Sequence, residues 1–383
     1  MKIIKLNQNN LEKLFNKIGS TQVGTKILLA KSKLHFFHIH QLKTPAANIL
    51  KQDALSIGAD LVVPKSTICC DTEFVDAILI ASTKQLKELS KKEKAQPFGL
   101  KTLALKLEQF LNPKTFKTRI MGVINLNEDS FFDASRTNNE KAIVKIQEMI
   151  QNGANIIDIG AVSSKPGSKA VNETEEMSRL KPILDSIKKL KLYEKVDFSL
   201  DTYSPICASY ALECGFKIIN DITGLQNDKL ASLIAQFDAT LVLMHMQNNP
   251  TNMQENPTYE NIILEIEEFF KERIAKAKEF GIKNIVLDVG IGFGKTLEHN
   301  LLLIKHLEHF KLFGYELLIG ASRKSMIDMI SPTPTSQRLP ATLAIHIEAV
   351  KNGASILRVH DVKEHKQAIE VLEAFKKVNT PYL

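Results

Sequence analysis

The sequence predicts an α/β chain, a (β/α)8 TIM barrel preceded by a smaller N-terminal α+β extension. Three observations carry that prediction. From residue 119 onward, short runs rich in Val and Ile alternate with segments of helical period. Eight such β/α units fit within about 260 residues, the usual length of an eight-fold barrel. Each of the eight runs also ends in, or opens directly into, polar residues, and barrel enzymes place their chemistry at the C-terminal ends of their strands. A doubly wound open sheet would have fewer strands and one crevice at a switch point.

The strand candidates are 119-RIMGVIN-125, 155-NIIDIG-160, 196-VDFSLD-201, 217-KIIN-220, 240-TLVLMH-245, 284-NIVLDVG-290, 316-ELLIG-320 and 355-SILRVH-360. Between them lie amphipathic helices such as 139-NEKAIVKIQEMIQNG-153 and 259-YENIILEIEEFFKERIAKAKEFG-281, each closed by Gly, which readily takes the left-handed conformation after a last turn. Together they place a barrel domain at 118–383.

The extension, 1–117, is less regular. The run 26-KILLA-30 reads as a strand, 34-LHFFHIH-40 alternates as a second strand would, and 77-AILIA-81 is a further apolar segment. A lysine-rich helix candidate follows at 83-TKQLKELSKKEKA-95, and 111-LNPKTFKT-118 resembles a linker. His35, His38 and His40 offer metal-ligand chemistry, but no matched acidic or His partner lies near them in sequence, so they read as an exposed strand face. Nothing in the sequence assigns this region a role.

With 44% hydrophobic and 24% charged residues, the 383-residue chain has the composition of an ordinary soluble globular protein. No apolar run is long enough to span a bilayer, so no membrane partner is expected. The N-terminus MKIIKLNQNN turns polar too soon for a signal peptide, and a cytoplasmic protein is expected. The net charge of +7 comes from lysines spread along the chain. Without Trp, with few aromatics and with no helix-turn-helix, RNA-recognition or zinc-finger signature, it reads as a solvated surface; no nucleic-acid partner is expected, whereas an anionic substrate is compatible. Cys69 and Cys70 are adjacent, a poor disulfide geometry, and Cys207 and Cys214 sit at a helical spacing that predicts burial. No C-x-x-C pair is present.

The stretch 287-LDVGIGFGKTLEHN-300 resembles a phosphate loop, yet Val289 stands where a P-loop requires its first Gly. The dinucleotide pattern fails too, because Lys295 replaces its last Gly. The stretch reads better as a strand end that presents Asp288, with Lys295 as a solvated lysine at a helix start.

Taken singly, an Asp or Asn after a strand is a turn former or a helix cap. Polar groups at all eight ends of a closed ring would instead converge on one mouth. That predicts a pocket containing Asp201, Asn220, Asp288, Lys324, Arg358 and His360. Asp201 and Asp288 accept hydrogen bonds and Asn220 both donates and accepts, a set that suits a flat heterocycle with N–H donors along one edge. Lys324 can donate to a ring carbonyl or nitrogen, and Arg358 can stack on a ring or bind an anion. His360, Lys165, Asn125 and Ser164 are candidates for an anionic leaving group, with or without a metal ion.

At this point the chain resembles the dihydropteroate synthases over residues 119 to 377. The motifs that carry the resemblance are Asn125-Leu126-Asn127-Glu128-Asp129-Ser130-Phe131, Ser163-Ser164-Lys165-Pro166-Gly167, 200-LDT-202, 219-IND-221, 244-MHMQ-247, 287-LDVGIGFGK-295, 322-SRKS-325 and 358-RVHD-361, in the family's order at the family's strand ends. The resemblance implies condensation of 6-hydroxymethyl-7,8-dihydropterin diphosphate with para-aminobenzoate, with release of pyrophosphate. It implies that Asp201, Asn220, Asp288 and Lys324 hold the pterin, with Met244 beside it and Arg358 stacked on it. It further implies that Asn125, Arg358 and His360 hold the pyrophosphate, with Asn125 near Mg2+. Ser164, Lys165, Pro166, Phe293 and Ser325 would form the aminobenzoate site. Asn125, Lys324, Arg358 and His360 are the catalytic candidates, and a homodimer is the implied assembly.

The family pattern is broken in three places. Asn127-Glu128 replaces Thr-Pro, which frees the backbone and adds negative charge to a loop expected to close over a diphosphate. Val162 replaces a Glu, and Lys165 replaces an Arg, keeping charge without the bidentate fork. Two rival readings follow. A corrinoid-linked methyltransferase shares the barrel and pterin pocket but needs neither the Lys165-Pro166 loop nor the 358-RVH-360 anion site. A pterin-binding protein that has lost catalysis would keep only the pocket.

Overall fold

The computed structural model describes residues 3–6, 11–126, 136–162, 171–248 and 252–378. The chain divides into two compact units, Lys114–Val371 and Met1–Pro113 with Leu372–Leu383.

The smaller unit opens with α1 (Leu11–Ile18) and α2 (Gln22–Ser32). The run 26-KILLA-30, expected as a strand, lies inside α2. A short apolar run fits either element, and the helix is started by Thr21, whose hydroxyl accepts from the Gly24 N–H at 3.1 Å. The alternating run at 34–40 does form a strand, β1 (Leu34–Lys43). With α3 (Thr44–Ser56), β2 (Asp60–Val62) and β3 (Phe74–Ser82) it builds an antiparallel sheet in the order β1-β3-β2. Along β3, Val75, Ala77, Leu79 and Ala81 are buried while Phe74, Asp76 and Ile78 are exposed, so one face of the sheet is packed. Leu50 of α3, Leu86 and Leu89 of α4 (Thr83–Glu93) and Leu100 of α5 (Leu100–Gln109) cover that face. A capping box, Ser82 with Gln85, turns β3 directly into α4.

The larger unit is a closed barrel of eight parallel strands: β4 (Arg119–Asn125), β5 (Ile156–Gly160), β6 (Asp197–Asp201), β7 (Ile218–Asp221), β8 (Thr240–Met244), β9 (Asn284–Asp288), β10 (Glu316–Ile319) and β11 (Ile356–Val359). All eight coincide with the expected runs to within a residue or two. Closure is made by β11, which pairs with both β10 and β4, and this excludes the open sheet. The intervening helices are α6 (Arg136–Gln151), α7 (Glu173–Lys189), α8 (Pro205–Glu213), α9 (Asp228–Gln236), α10 (Ile262–Glu279), α11 (Leu297–Lys305), α12 (Ser325–Ile330), α13 (Leu339–Lys351) and α14 (Val362–Lys377). Cys207 and Cys214 are buried, as their spacing predicts. No helix among the described residues is long and apolar enough to cross a membrane.

Met121, Ile156, Ile218, Val242, Val286, Leu318 and Ile356 pack together as the apolar core of the barrel. Strand side chains alternate between faces, so the residues two positions further on also point inward. They are Val123, Asp158, Asn220, Met244, Asp288, Gly320 and Arg358, and β6 adds Asp201 above Ser199. The core thus changes from apolar to polar within one step along the strands, toward the mouth.

A buried carboxyl also lies in the smaller unit. Glu93, at the end of α4, is fully buried, and burial pushes it up to about 7, reinforced by Asp53 beside it. Its folded pKa lies above its unfolded value, so the folded state binds more protons and stability falls as pH rises from about 4.5 to 7. Glu93→Gln should therefore stabilise the protein in urea denaturation at pH 8, with the gain shrinking toward pH 4.5. An equal effect at both pH values would mean that Glu93 is ionised throughout.

Candidate active site

The inward polar layer is organised by Arg358. Its Nε donates to Asp158 Oδ2 at 2.6 Å and its Nη2 to Asp201 Oδ2 at 2.7 Å. Asp158 is wholly buried and also accepts from Asn220 Nδ2 at 3.3 Å. Three strand ends, β5, β6 and β7, are thus tied to β11 across the barrel. Burial alone would lower the Arg358 pKa, but the two carboxylates reverse this and hold it above its ordinary value. Burial pushes Asp201 up to about 7, against the pull of Arg358. Asp158 Oδ1 and Asn220 Oδ1 are buried and have no hydrogen-bond partner among the described residues. Buried acceptors are normally satisfied, so these two mark a place for donors from a ligand.

The glycine-rich turn after β9 is not a phosphate cradle. Its N–H groups are already committed: Gly290 N to Asp288 Oδ1 at 2.8 Å, Gly292 N to Asn300 Oδ1 at 2.8 Å, and Phe293 N to Gly290 O at 3.1 Å. The glycines answer a packing demand instead. A Cβ on Gly290, at φ +70, would lie 1.9 Å from the His245 carbonyl oxygen, and one on Gly294, at φ +63, would lie 2.8 Å from Gln247 Cβ. The turn after β9 is therefore pressed against the loop after β8. Thr296 caps α11 in a capping box with His299.

Lys295 is not the solvated lysine expected from its place at a helix start. It is buried, and its ammonium donates to Phe293 O at 2.8 Å, His245 Nδ1 at 3.1 Å and His245 O at 3.3 Å. The close packing that requires Gly290 also encloses this side chain. Burial lowers Lys295 to about 7, opposed by Asp288. His245 is held well below its ordinary value by burial and by Lys295, which keeps Nδ1 as an acceptor.

Asp288 is buried, and burial raises its pKa while the Gly290 N–H opposes the rise. Lys324 lies over the Phe293 ring at 4.5 Å and donates to the Ile291 carbonyl. Burial lowers Lys324 to about 8, against the attraction of Asp288. Met244 is buried and sits in register with Asp288. Asn125 ends β4 half-buried. His360 Nδ1 lies 2.9 Å from Ser322 Oγ, and Ser325 begins α12 exposed. Ser164, Lys165 and Pro166, with Asn127 and Glu128, lie outside the described residues; Val162 is half-buried.

The strand-end reading missed two groups. Asp158 lies inside an apolar run, where a lone carboxylate two residues after Ile156 is the available signal. Glu176 of α7 is buried and accepts from Thr202 Oγ1 at 2.6 Å, bracing the end of β6. Asp221 is a turn former: its carboxylate accepts from Thr223 N, Thr223 Oγ1 and Leu225 N. A further chain runs behind the mouth, where His346 Nε2 accepts from Ala321 N at 3.1 Å and His346 Nδ1 meets His365 Nε2 at 2.8 Å.

A closed parallel barrel whose C-terminal mouth holds unsatisfied buried acceptors beside two lysines and an arginine defines a barrel enzyme for a small polar ligand. Comparison with known proteins narrows the class. The family model "pterin binding enzyme" matches residues 121–360. The chain is 41% identical over 380 residues to the bifunctional dihydropteroate synthase/dihydropteroate reductase of Helicobacter pylori, covering 99% of this chain and 100% of that protein. The dihydropteroate synthase of Clostridium difficile, solved in the presence of pteroic acid, is 37% identical with a TM-score of 0.62, covering 68% of this chain and 97% of that one. The Thermus thermophilus dihydropteroate synthase, solved with 4-aminobenzoate, is 36% identical with a TM-score of 0.60, covering 67% and 94%. The chain belongs to the pterin-binding enzyme family, and within it to the dihydropteroate synthases.

Removing one partner of a buried ion pair leaves uncompensated charge. Arg358→Met should therefore destabilise the protein by about 3–5 kcal/mol at pH 8. The loss should shrink toward pH 5, because protonation of Asp201 relieves the unpaired charge. Urea denaturation at the two pH values reads the difference, and a loss independent of pH would show that charge burial is not its origin.

Proposed function

We propose that the chain joins 6-hydroxymethyl-7,8-dihydropterin diphosphate to para-aminobenzoate and releases pyrophosphate. The observation that carries this reading is the pair of unsatisfied buried acceptors, Asp158 Oδ1 and Asn220 Oδ1, beside Asp201 and Asp288. A pterin presents an exocyclic amine and ring N–H groups along one edge, the donors such acceptors need. In this reading Asp201, Asn220 and Asp288 hold that edge, Lys324 donates to the ring, and Met244 packs beside it. Asp158, absent from the residues expected from the strand ends, joins the set.

The reaction breaks the bond between the pterin methylene and the diphosphate oxygen, and the electron pair leaves with pyrophosphate. The electron-rich dihydropterin stabilises the methylene cation, the arylamine nitrogen attacks it, and the nitrogen's proton passes to solvent. An arylamine is already unprotonated at neutral pH, so no strong general base is required. Catalysis then rests on positioning and charge neutralisation. Arg358 uses Nε and Nη2 for carboxylates and turns Nη1 to the anion, with His360 as its companion. Ser164, Lys165, Pro166, Phe293 and Ser325 form the aminobenzoate side. Mg2+ takes few protein oxygens and keeps waters and substrate phosphates, so the single amide oxygen of Asn125 at the mouth is compatible with it. When bound, the ion would supply charge neutralisation at the diphosphate. We place the reaction in the cytoplasm and the chain in a homodimer, as in the resembling family.

Incubation with the pterin diphosphate, para-aminobenzoate and Mg2+ should yield dihydropteroate and pyrophosphate. Tight pterin binding without pyrophosphate would favour the binding-protein reading. Asp288→Asn should weaken pterin binding by roughly 1–3 kcal/mol, by removing a charged acceptor from buried N–H donors. Unchanged affinity in calorimetry would take Asp288 out of the site. Lys165→Ala should raise the KM for para-aminobenzoate more than it weakens pterin binding; equal effects would displace Lys165 from the aminobenzoate side.

A second activity is favoured by the extent of one match. The solved synthases cover about two thirds of this chain, whereas the Helicobacter pylori relative, named for a reductase as well, runs through residues 1–117. We infer that the chain also reduces dihydropteroate, a role in which the N-terminal unit takes part. The full chain given dihydropteroate with a reduced nicotinamide or reduced flavin should form tetrahydropteroate, read by chromatography. No product with any of these donors would remove this second reading and leave the first intact.

A further inference from the structure

The His-rich strand of the N-terminal unit has the acidic partner that the sequence hid. His38 and His40 are two residues apart on β1 and share its outer face, with ring centroids 3.8 Å apart. The ladder with β3 pairs Ile39 with Ala77 and then Leu42 with Val75, so His40 and Gln41 together face Asp76 alone. This is a bulge, a feature that re-aims side chains. Gln41 takes the left-handed conformation at φ 48, and its N–H donates to Asp76 Oδ1 at 3.0 Å. That fixes the carboxylate with Oδ2 toward both rings, 3.1 Å from His40 Nδ1 and 3.4 Å from His38 Nε2.

We propose that His38, His40 and Asp76 form a binding site for a divalent first-row transition ion. The three ligand atoms lie within 4.8 Å of one another on an exposed surface. Metal bonds of about 2.0–2.2 Å place neighbouring donors roughly 3.0–3.5 Å apart, the spacing seen between Asp76 Oδ2 and each ring nitrogen. Two imidazoles and a carboxylate suit Zn2+, Co2+, Ni2+ or Fe2+, and not the oxygen-seeking Mg2+ or Ca2+. Three protein ligands leave positions for water or an anion from solvent, as in an open rather than a structural site. A purely hydrogen-bonded arrangement would require both rings to donate to one oxygen, whereas one ion satisfies all three lone pairs together. The third histidine of the segment serves as the internal control. His35 faces the other way, with Nε2 2.8 Å from Thr83 Oγ1 and its ring stacked on Phe37.

The test uses the full chain stripped with chelator. Zn2+ is titrated by calorimetry, and Co2+ by its visible absorption, in a Cys69→Ser/Cys70→Ser background that removes the exposed thiols. The background protein should bind one ion per chain at this site. Even changes in groups behind metal ligands cost about 10–100-fold in affinity, so His38→Ala, His40→Ala and Asp76→Asn should each lower it at least tenfold. His35→Ala should bind as the background does. These ligands are exposed, so the three variants should keep the circular dichroism of the parent. Absence of binding in the background protein, or affinity unchanged in His40→Ala and Asp76→Asn, would overturn the site.

Discussion

The barrel mouth depends on one half-buried guanidinium. Arg358 reaches from the last strand, β11, to Asp158 and Asp201 on β5 and β6. Such an arrangement is costly to desolvate, and it persists only where geometry and further hydrogen bonds are good. The barrel supplies both. Closure brings β11 beside β4, and period-two alternation turns Asp158, Asp201 and Arg358 inward at the same end. The carboxylates keep the guanidinium charged, and the guanidinium offsets the burial that raises Asp201. The acceptors left over, on Asp158 and Asn220, give the pocket its demand for donors.

The other side of the mouth is built by packing rather than by ion pairs. The turn after β9 lies against the loop after β8, at a distance only Gly290 and Gly294 permit. That contact buries Lys295, whose three donors find three acceptors within the two loops. Burial lowers Lys295 to about 7 and Lys324 to about 8. Asp288 and Lys324 are thereby held by a scaffold that does not itself need a ligand.

The smaller unit uses a different logic. Its sheet buries one face under helices and leaves the other open, so a polar cluster there is arranged by strand register alone. The bulge between Ile39 and Leu42 sets two residues against Asp76 and orients its carboxylate. Nothing in 34-LHFFHIH-40 announces that partner, which stands 36 residues from His40. The helix at 26-KILLA-30 was hidden for a related reason: a short apolar run acquires its conformation from a cap outside it, here Thr21.

The sequence by itself determined the periodicities and therefore the barrel, since alternation of apolar runs with amphipathic helices is a local property. It also determined which polar residues stand at the strand ends, because position along a strand is local as well. Only the tertiary structure decided which of them meet. Arg358 and Asp158 are 200 residues apart, and their pairing depends on barrel closure and strand register, which no local pattern encodes. The same holds for Lys295, legible as a surface lysine until two loops close over it, and for Asp221, which sits beside Asn220 yet turns its carboxylate to its own backbone. Burial and pairing are relations between distant segments, and they set both the charges of the mouth and the acceptors it leaves open.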